Sequence, residues 1–449
     1  MNALVALDIP LDLRESTPQP ASLSEINRSI AVPQGKGRMA FWRKLAAFSG
    51  PGYLVAVGYM DPGNWATDVA GGSAYGYELL SVVLIANFMA MLLQALSARL
   101  GIVTGLDLAQ ACRKQYGAGT RVALWLLCEV AIVACDLAEV IGTAIALQLL
   151  FHIPMVIGVC LTAADVLIVL GLQKHGFRRL EAFIIGLLGL IAGCFIVELI
   201  LAQPLVAGIA GGFVPHADLL TAPGKLYLGI GILGATVMPH NLYLHSSIVQ
   251  TRCFDRTPSG KTEAVKLATI DSTVALMLAF GINAAILILA ASTFHKAGMI
   301  HVAEIQDAFR MLSPLMGAGA ASVLFAVALL ASGQNSTITG TLAGQIVMEG
   351  FVDLKMPAWS RRLVTRLLAV IPAAFVAGIY GANGSAKMLV LSQVVLSLQL
   401  PFAVVPLVRF TSDSEMMGRF ASRGVLKCAA WAVAFVVIAL NIVLLWSLL

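Results

Sequence analysis

The chain has 449 residues, 59% of them hydrophobic and 12% charged, with a formal net charge of +5. An ordinary soluble protein carries about 25% charged residues, so the composition excludes a large soluble domain and describes a polytopic membrane protein. No basic stripe with interleaved aromatics points to nucleic acid, and the seven cysteines show no CxxC or other metal spacing, so they read as small core residues.

Residues 1–45 are polar and contain Pro10, Pro18, Pro20 and Pro33. They lack the short apolar core and small-residue cleavage site of a signal peptide. They are expected to form a flexible cytoplasmic tail, ordered only near Trp42, ahead of a single transmembrane domain over 46–449. About twenty apolar residues cross a bilayer as a helix. Eleven such segments follow, near 47–71, 77–103, 121–150, 154–173, 178–201, 225–250, 267–294, 317–348, 362–380, 385–409 and 425–448. Lys and Arg set their orientation. Arg43 and Lys44, Arg113 and Lys114, Arg178 and Arg179, Arg252 and Arg256, Arg361 and Arg362, and Arg419 and Arg423 all fall on one side of that alternation. The opposite loops offer only Lys225, Lys296, Arg310 and Lys387. The N-terminus is therefore expected inside and the C-terminus outside.

Two spans are broken at their centres. The first contains Gly58-Tyr59-Met60-Asp61-Pro62-Gly63-Asn64 and the sixth contains Gly234-Ala235-Thr236-Val237-Met238-Pro239-His240-Asn241. Proline lacks the N–H that would bond the preceding turn, and glycine is permissive. Pro62 with Gly63 frees carbonyls near Gly58, and Pro239 frees the carbonyl of Ala235. Irregular backbone at membrane depth survives only where it is buried in protein or lines a cavity. Breaks in spans one and six match the arithmetic of a five-plus-five inverted repeat with an added eleventh helix, and paired interrupted spans mark a transporter's binding site.

The residues at the breaks have the chemistry of a cation site. Half-helix C-terminal ends favour cations, Asp61 adds a formal charge and Asn64 a neutral oxygen. An intramembrane Asp is a functional hypothesis by default. Met238 is open to two readings, core filler or ligand. As a ligand, its soft thioether selects against Ca²⁺ and Mg²⁺, which want oxygen alone. Carboxylate, amide, carbonyl and thioether together suit Mn²⁺ or Fe²⁺ and tolerate Co²⁺, Cd²⁺ or Zn²⁺.

These two motifs resemble the Nramp family, the natural resistance-associated macrophage proteins, which are proton-coupled divalent metal transporters. The similarity runs from about residue 40 to the C-terminus. It includes Asp136-Leu137-Ala138-Glu139, Tyr243-Leu244-His245-Ser246-Ser247 and Gly340-Thr341-Leu342-Ala343-Gly344-Gln345. The resemblance implies an all-α, leucine-transporter-like inverted repeat, with helices 1 and 6 unwound at centre and no enzymatic activity. It implies import of Mn²⁺, with Fe²⁺, Cd²⁺ and Co²⁺ as further cargo, across a bacterial inner membrane. Asp61, Asn64 and Met238 match the metal-ligand side chains, the carbonyls of Gly58 and Ala235 the backbone ligands, and Gln393 a tenth-span glutamine of the occluded site. Metal ions and protons are the expected partners beside the lipid bilayer; no cofactor is implied, and the oligomeric state is not readable.

Proton coupling needs groups that titrate. Asp136 and Glu139 are three residues apart and share a helix face; chains of Asp, Glu and His in membranes mark proton relays. The resemblance joins them to Arg361 and Arg362 in a charged route to the cytoplasm, whereas residue chemistry alone makes the two arginines a positive-inside anchor. His240 either relays protons, as Asp61 would, or holds the opened helix. His245, with Pro62, Gly63 and Pro239, is assigned to gating or structure. The competing reading is a sodium-coupled amino-acid transporter on the same fold, whose sites use hydroxyl and carbonyl oxygens; a buried Asp facing a thioether fits it poorly.

Overall fold

A computed structural model describes residues 22–164, 171, 176–219, 221–302, 304–353, 358–380 and 385–448. Helices account for nearly all of its regular structure. In chain order they are α1 (Arg38–Phe48), α2 (Pro51–Gly58), α3 (Pro62–Tyr75), α4 (Leu80–Thr104), α5 (Leu108–Gln115), α6 (Ala118–Phe151), α7 (Met155–Thr162), α8 (Phe177–Ala202) and α9 (Val206–Gly212). They continue with α10 (Pro223–Thr236), α11 (Pro239–Ile248), α12 (Pro258–Ala290), α13 (Ile305–Met316), α14 (Ala320–Val352), α15 (Ala358–Tyr380), α16 (Ser385–Ser412), α17 (Ser414–Met417) and α18 (Gly424–Leu448).

Among the described residues, seven helices are individually long and apolar enough to cross a membrane: α4, α6, α8, α12 with its terminal π turn, α14, α16 and α18. The first and sixth expected spans are each two shorter helices, α2 with α3 and α10 with α11. The fourth is α7, whose expected range includes residues outside the described set, and the ninth lies within α15. Ion pairs lie at the span ends. Lys44 pairs with Glu263 at 2.7 Å, Arg113 with Asp353 at 3.4 Å and Arg178 with Glu181 at 3.0 Å, all at one face. Lys225 pairs with Glu78 and Asp218 at the other.

The core lies where α6, α14, α12 and α16 enclose the broken helices. Trp65 of α3 is fully buried, with its ring 5.0 Å from those of Phe195 and Phe325. Large apolar side chains such as Phe88, Ile200, Ile371 and Phe435 point outward instead, as lipid contact requires. Only 28% of the apolar window of α18 is buried, which sets it at the periphery.

Two features hold the first broken helix in place. Asp271 of α12 accepts hydrogen bonds from the N–H groups of Gly50 (3.3 Å) and Gly52 (2.7 Å), satisfying donors that a helix start leaves unpaired. Arg252, wholly buried, pairs with Glu181 at 2.7 Å and donates to the carbonyls of Ala47 and Ser49 at the end of α1. Gly50 has φ 144°, and a Cβ there would come within 2.4 Å of Glu181; this position admits glycine for both reasons.

Residues 22–32 belong to the stretch expected to be a flexible tail, and part of that segment lies against the helices. Ser22 and Leu23 are buried. Ile30–Ala31 forms a short parallel bridge with Arg252–Cys253, in the register Ile30 to Arg252 and Ala31 to Cys253.

Candidate cation site at two broken helices

The helix breaks fall where proline arithmetic puts them. α2 ends at Gly58 and α3 starts at Pro62; α10 ends at Thr236 and α11 starts at Pro239. The residue four after Gly58 is Pro62, and the residue four after Ala235 is Pro239. Neither proline has an N–H, so neither carbonyl can be paired along its own helix.

Asp61 is the N-cap of α3 and is fully buried. Its Oδ1 accepts from the backbone N–H of Asn64 and from Asn64 Nδ2, both at 2.8 Å. Its Oδ2 accepts from Gln393 Nε2 of α16 at 3.2 Å. Asn64 Nδ2 also donates to the carbonyl of Ala235 at 3.1 Å. One amide group thus sits between a carboxylate oxygen of the first break and a freed carbonyl of the second. Asn283 of α12 donates to Asn64 Oδ1 (3.4 Å) and to the carbonyl of Tyr59 (2.7 Å), and Ser332 of α14 donates to the carbonyl of Met60. The opened backbone is therefore held by two neighbouring spans as well as by its own cap.

The packing around this point is close. A Cβ on Gly142 of α6 would lie 2.1 Å from Pro62 Cβ, and one on Gly63 would lie 1.6 Å from Gln393 Nε2. Both glycines let a neighbouring helix approach the break. Met238 is the N-cap of α11, fully buried in one cluster with Ala131 and Cys135 of α6 and Leu396 of α16.

A second polar group lies beside the first. Arg366 of α15 stands 3.9 Å from Asp136 Oδ1 and 3.7 Å from Glu139 Oε2, with all three side chains buried. Arg366 also donates to the carbonyl of Thr162 and to Thr337 Oγ1. Arg361 and Arg362 lie in α15, but their side chains are outside the described residues. The arginine that meets the carboxylates is one that the sequence reading did not name; its signal was a lone charge inside the apolar run of α15, four residues after Arg362. Cys135 Sγ lies between the second group and the start of α11: it is 3.6 Å from Glu139 Oε1 and 3.9 Å from His240 Nε2. His245 takes another direction, with Nδ1 3.0 Å from Gln94 Oε1, while Gln94 Nε2 donates to the Tyr59 hydroxyl at 2.8 Å. That chain ties α11 and α4 to the first break. Asn283, Cys135 and Gln94 also escaped the sequence reading.

Among the described residues, no three His, Cys, Asp or Glu side chains form a metal cage. A mostly neutral donor set with one carboxylate fits a cation held in passing.

The fold is that of a membrane transporter of the leucine-transporter type. The nucleobase–cation symporter Mhp1 superposes with a TM-score of 0.60 at 14% identity, over 96% of this chain and 95% of that one. MhsT, solved with L-phenylalanine, superposes with a TM-score of 0.58 at 16% identity, over 88% of this chain and 97% of that one. The chain belongs to the Nramp family: the family's profile, described as natural resistance-associated macrophage protein-like, matches residues 52–447. A divalent metal cation transporter, MntH, from Bradyrhizobium diazoefficiens is 61% identical over 432 residues, 96% of this chain and 95% of its own length. Its counterpart in Nostoc is 58% identical over 420 residues, 94% of each chain. A manganese transporter from Eremococcus coleocola shares 43% identity and superposes with a TM-score of 0.87, over 94% of this chain and 90% of its own. The protein is a transporter, not an enzyme.

Proposed function

We propose that the protein imports divalent transition-metal ions, Mn²⁺ first and Fe²⁺, Cd²⁺ and Co²⁺ besides, coupled to protons by alternating access across a bacterial inner membrane. Its N-terminus is cytoplasmic and its C-terminus extracytoplasmic, as the Lys and Arg distribution requires. The observation that carries this reading is the convergence of Asp61 Oδ1 and the Ala235 carbonyl on one Asn64 Nδ2, at 2.8 and 3.1 Å. Two acceptors from different broken helices are aimed at one point. A cation there replaces the amide hydrogens, and Asn64 turns its oxygen inward. The Gly58 carbonyl and Gln393 complete the oxygen set, and Met238 adds the soft donor that disfavours Ca²⁺.

Protons follow a separate polar route. Asp61 gives up its proton when metal binds, because a carboxylate ligates in its ionised form. His240, Cys135, Glu139, Asp136 and Arg366 lead away from the site, toward the arginines at 361 and 362. The test is uptake by proteoliposomes under an imposed pH gradient. Mn²⁺ should enter faster with an inward proton gradient, Cd²⁺ should compete, and amino acids should have no effect. Amino-acid competition with sodium dependence would establish the rival transporter instead.

A further inference from the structure

We infer that residues 22–32 are a strap that locks the cytoplasmic mouth and must detach before cargo can leave inward. The inference rests on the alternating-access reading above. It starts from the contacts of this segment. The Leu23 N–H donates to Glu349 Oε2 at the end of α14 (3.0 Å). Ser247 Oγ of α11 donates to the Ser22 carbonyl at 3.5 Å. The Arg28 N–H donates to the Gln250 carbonyl at 3.0 Å, and the Val32 N–H to the Cys253 carbonyl at 3.3 Å. The parallel bridge of Ile30–Ala31 on Arg252–Cys253 lies between them. One short stretch therefore grips the ends of α11 and α14 and the turn that follows α11.

The same stretch runs on into α1, α2 and the first break. Arg252, its bridge partner, holds the carbonyl end of α1 and the Glu181 carboxylate. An inward opening that swings α2 away from α11 and α14 pulls the strap across that junction. The bridge has only two residue pairs, which is a small barrier beside a full helix interface. Leu23 and Arg28 have φ of 62° and 54°. A bulky residue in the left-handed region is strained and persists only where its surroundings impose it. The strap is therefore a sprung contact: firm when seated, and relieved of backbone strain on leaving.

The register supplies the test. Ala31 faces Cys253, and paired strand residues lie within the span a disulfide bridges. Ala31→Cys, with native Cys253, is oxidised in proteoliposomes and its bridge verified by peptide mass. Oxidation should lower Mn²⁺ uptake by roughly ten-fold or more by trapping the closed state, and reduction should restore it. Ala31→Cys combined with Cys253→Ser should ignore oxidation. Full uptake with the bridge formed overturns the strap. A second arm does not depend on bridge formation or on transport. Leu23→Asp places a charge in a buried position, and labelling of Cys253 by a permeant maleimide should accelerate roughly ten-fold as the segment opens locally. Equal labelling in the folded variant and the parent overturns the inference. Absence of Mn²⁺ uptake in both reduced variant and parent would refute the transport reading alone, and the labelling result would still decide the strap.

Discussion

The two helix breaks look alike in sequence and differ in construction. The first is charged and internally braced. Asp61 caps α3, accepts from Asn64 twice and from Gln393 once, and the carbonyls of Tyr59 and Met60 are held by Asn283 and Ser332. The second carries no formal charge at its centre, and its N-cap, Met238, makes no side-chain capping bond. It contributes the Ala235 carbonyl, which accepts from Asn64 across the two breaks, and a thioether packed on α6 and α16. Charge and order come from one break, a thioether and a carbonyl freed from its own helix from the other. Neither break carries all of these groups, and Asn64 bridges the two at the Ala235 carbonyl.

Removing the charge is the sharpest way to break that division. Asp61→Ala should lower Mn²⁺ affinity by more than about 100-fold, beyond what loss of a supporting outer-shell group costs. It also removes an N-cap, at about 1 kcal/mol. Asp61→Asn separates the two effects, since Asn caps as well as Asp. It should lose Mn²⁺ uptake while holding the parent's thermal stability in detergent. Uptake retained by Asp61→Asn would show that the cation does not need this carboxylate.

The next effect falls on the route between the breaks and the ninth span. Arg366→Gln leaves Asp136 and Glu139 buried without their counter-charge, and breaking a buried pair costs about 3–5 kcal/mol. The variant should be less stable and should move Mn²⁺ with little proton flux, measured together by isotope and a pH dye in one liposome preparation. Arg366→Lys restores a charge without the planar fork and should recover stability more than coupling.

Met238→Ala tests the softer half. The cavity costs about 2–5 kcal/mol of stability, so it is read as a ratio of uptakes. Mn²⁺ should still be carried, and discrimination against Ca²⁺ should fall. An unchanged Mn²⁺ to Ca²⁺ ratio would assign Met238 to packing with Cys135 and Leu396.

How much of this was legible follows from what each feature leaves in a sequence. Pro62 and Pro239 announce breaks, and counting four residues back identifies Gly58 and Ala235. Asp61, Asn64 and Gln393 were singled out, and they do meet. Arg366 was passed over because the adjacent pair at 361 and 362 offered the stronger family pattern. Asn283 and Cys135 were invisible because a lone amide or thiol in an apolar helix looks the same whether it faces a site or fills space. The seated strap of 22–32 was missed for another reason: a two-residue bridge has no periodicity to read, and polar, proline-bearing composition suggests a linker whatever the chain later packs against.

A smaller effect separates the two glycines that crowd the first break. Gly58→Ala sends a Cβ within 2.3 Å of Asn241 Nδ2, which is held only by a long 3.5 Å bond to the Val55 carbonyl. Gly63→Ala sends one onto Gln393 Nε2, which is tied to Asp61. Gly58→Ala should stay near parental Mn²⁺ affinity, because Asn241 can move aside. Gly63→Ala should weaken binding roughly ten-fold, the lower end (about 1.5 kcal/mol) of what a lost bond to a charged group costs.

The smallest expected change lies at the far end of the helix that leads into the second break, where α10 begins. Lys225 pairs there with Glu78 and Asp218, whose carboxylates are 38% and 52% exposed. The first broken helix is anchored instead by Arg252 and Glu181, both buried. An exposed ion pair contributes about 0–1 kcal/mol and is screened by salt. Lys225→Gln should therefore shift thermal stability slightly in low salt and not at all in molar salt, whereas Arg252→Gln should destabilise in both. Equal salt sensitivity of the two variants would mean that water reaches the inner anchor, and the contrast between a rigid first break and a loosely tethered second would fail at that point.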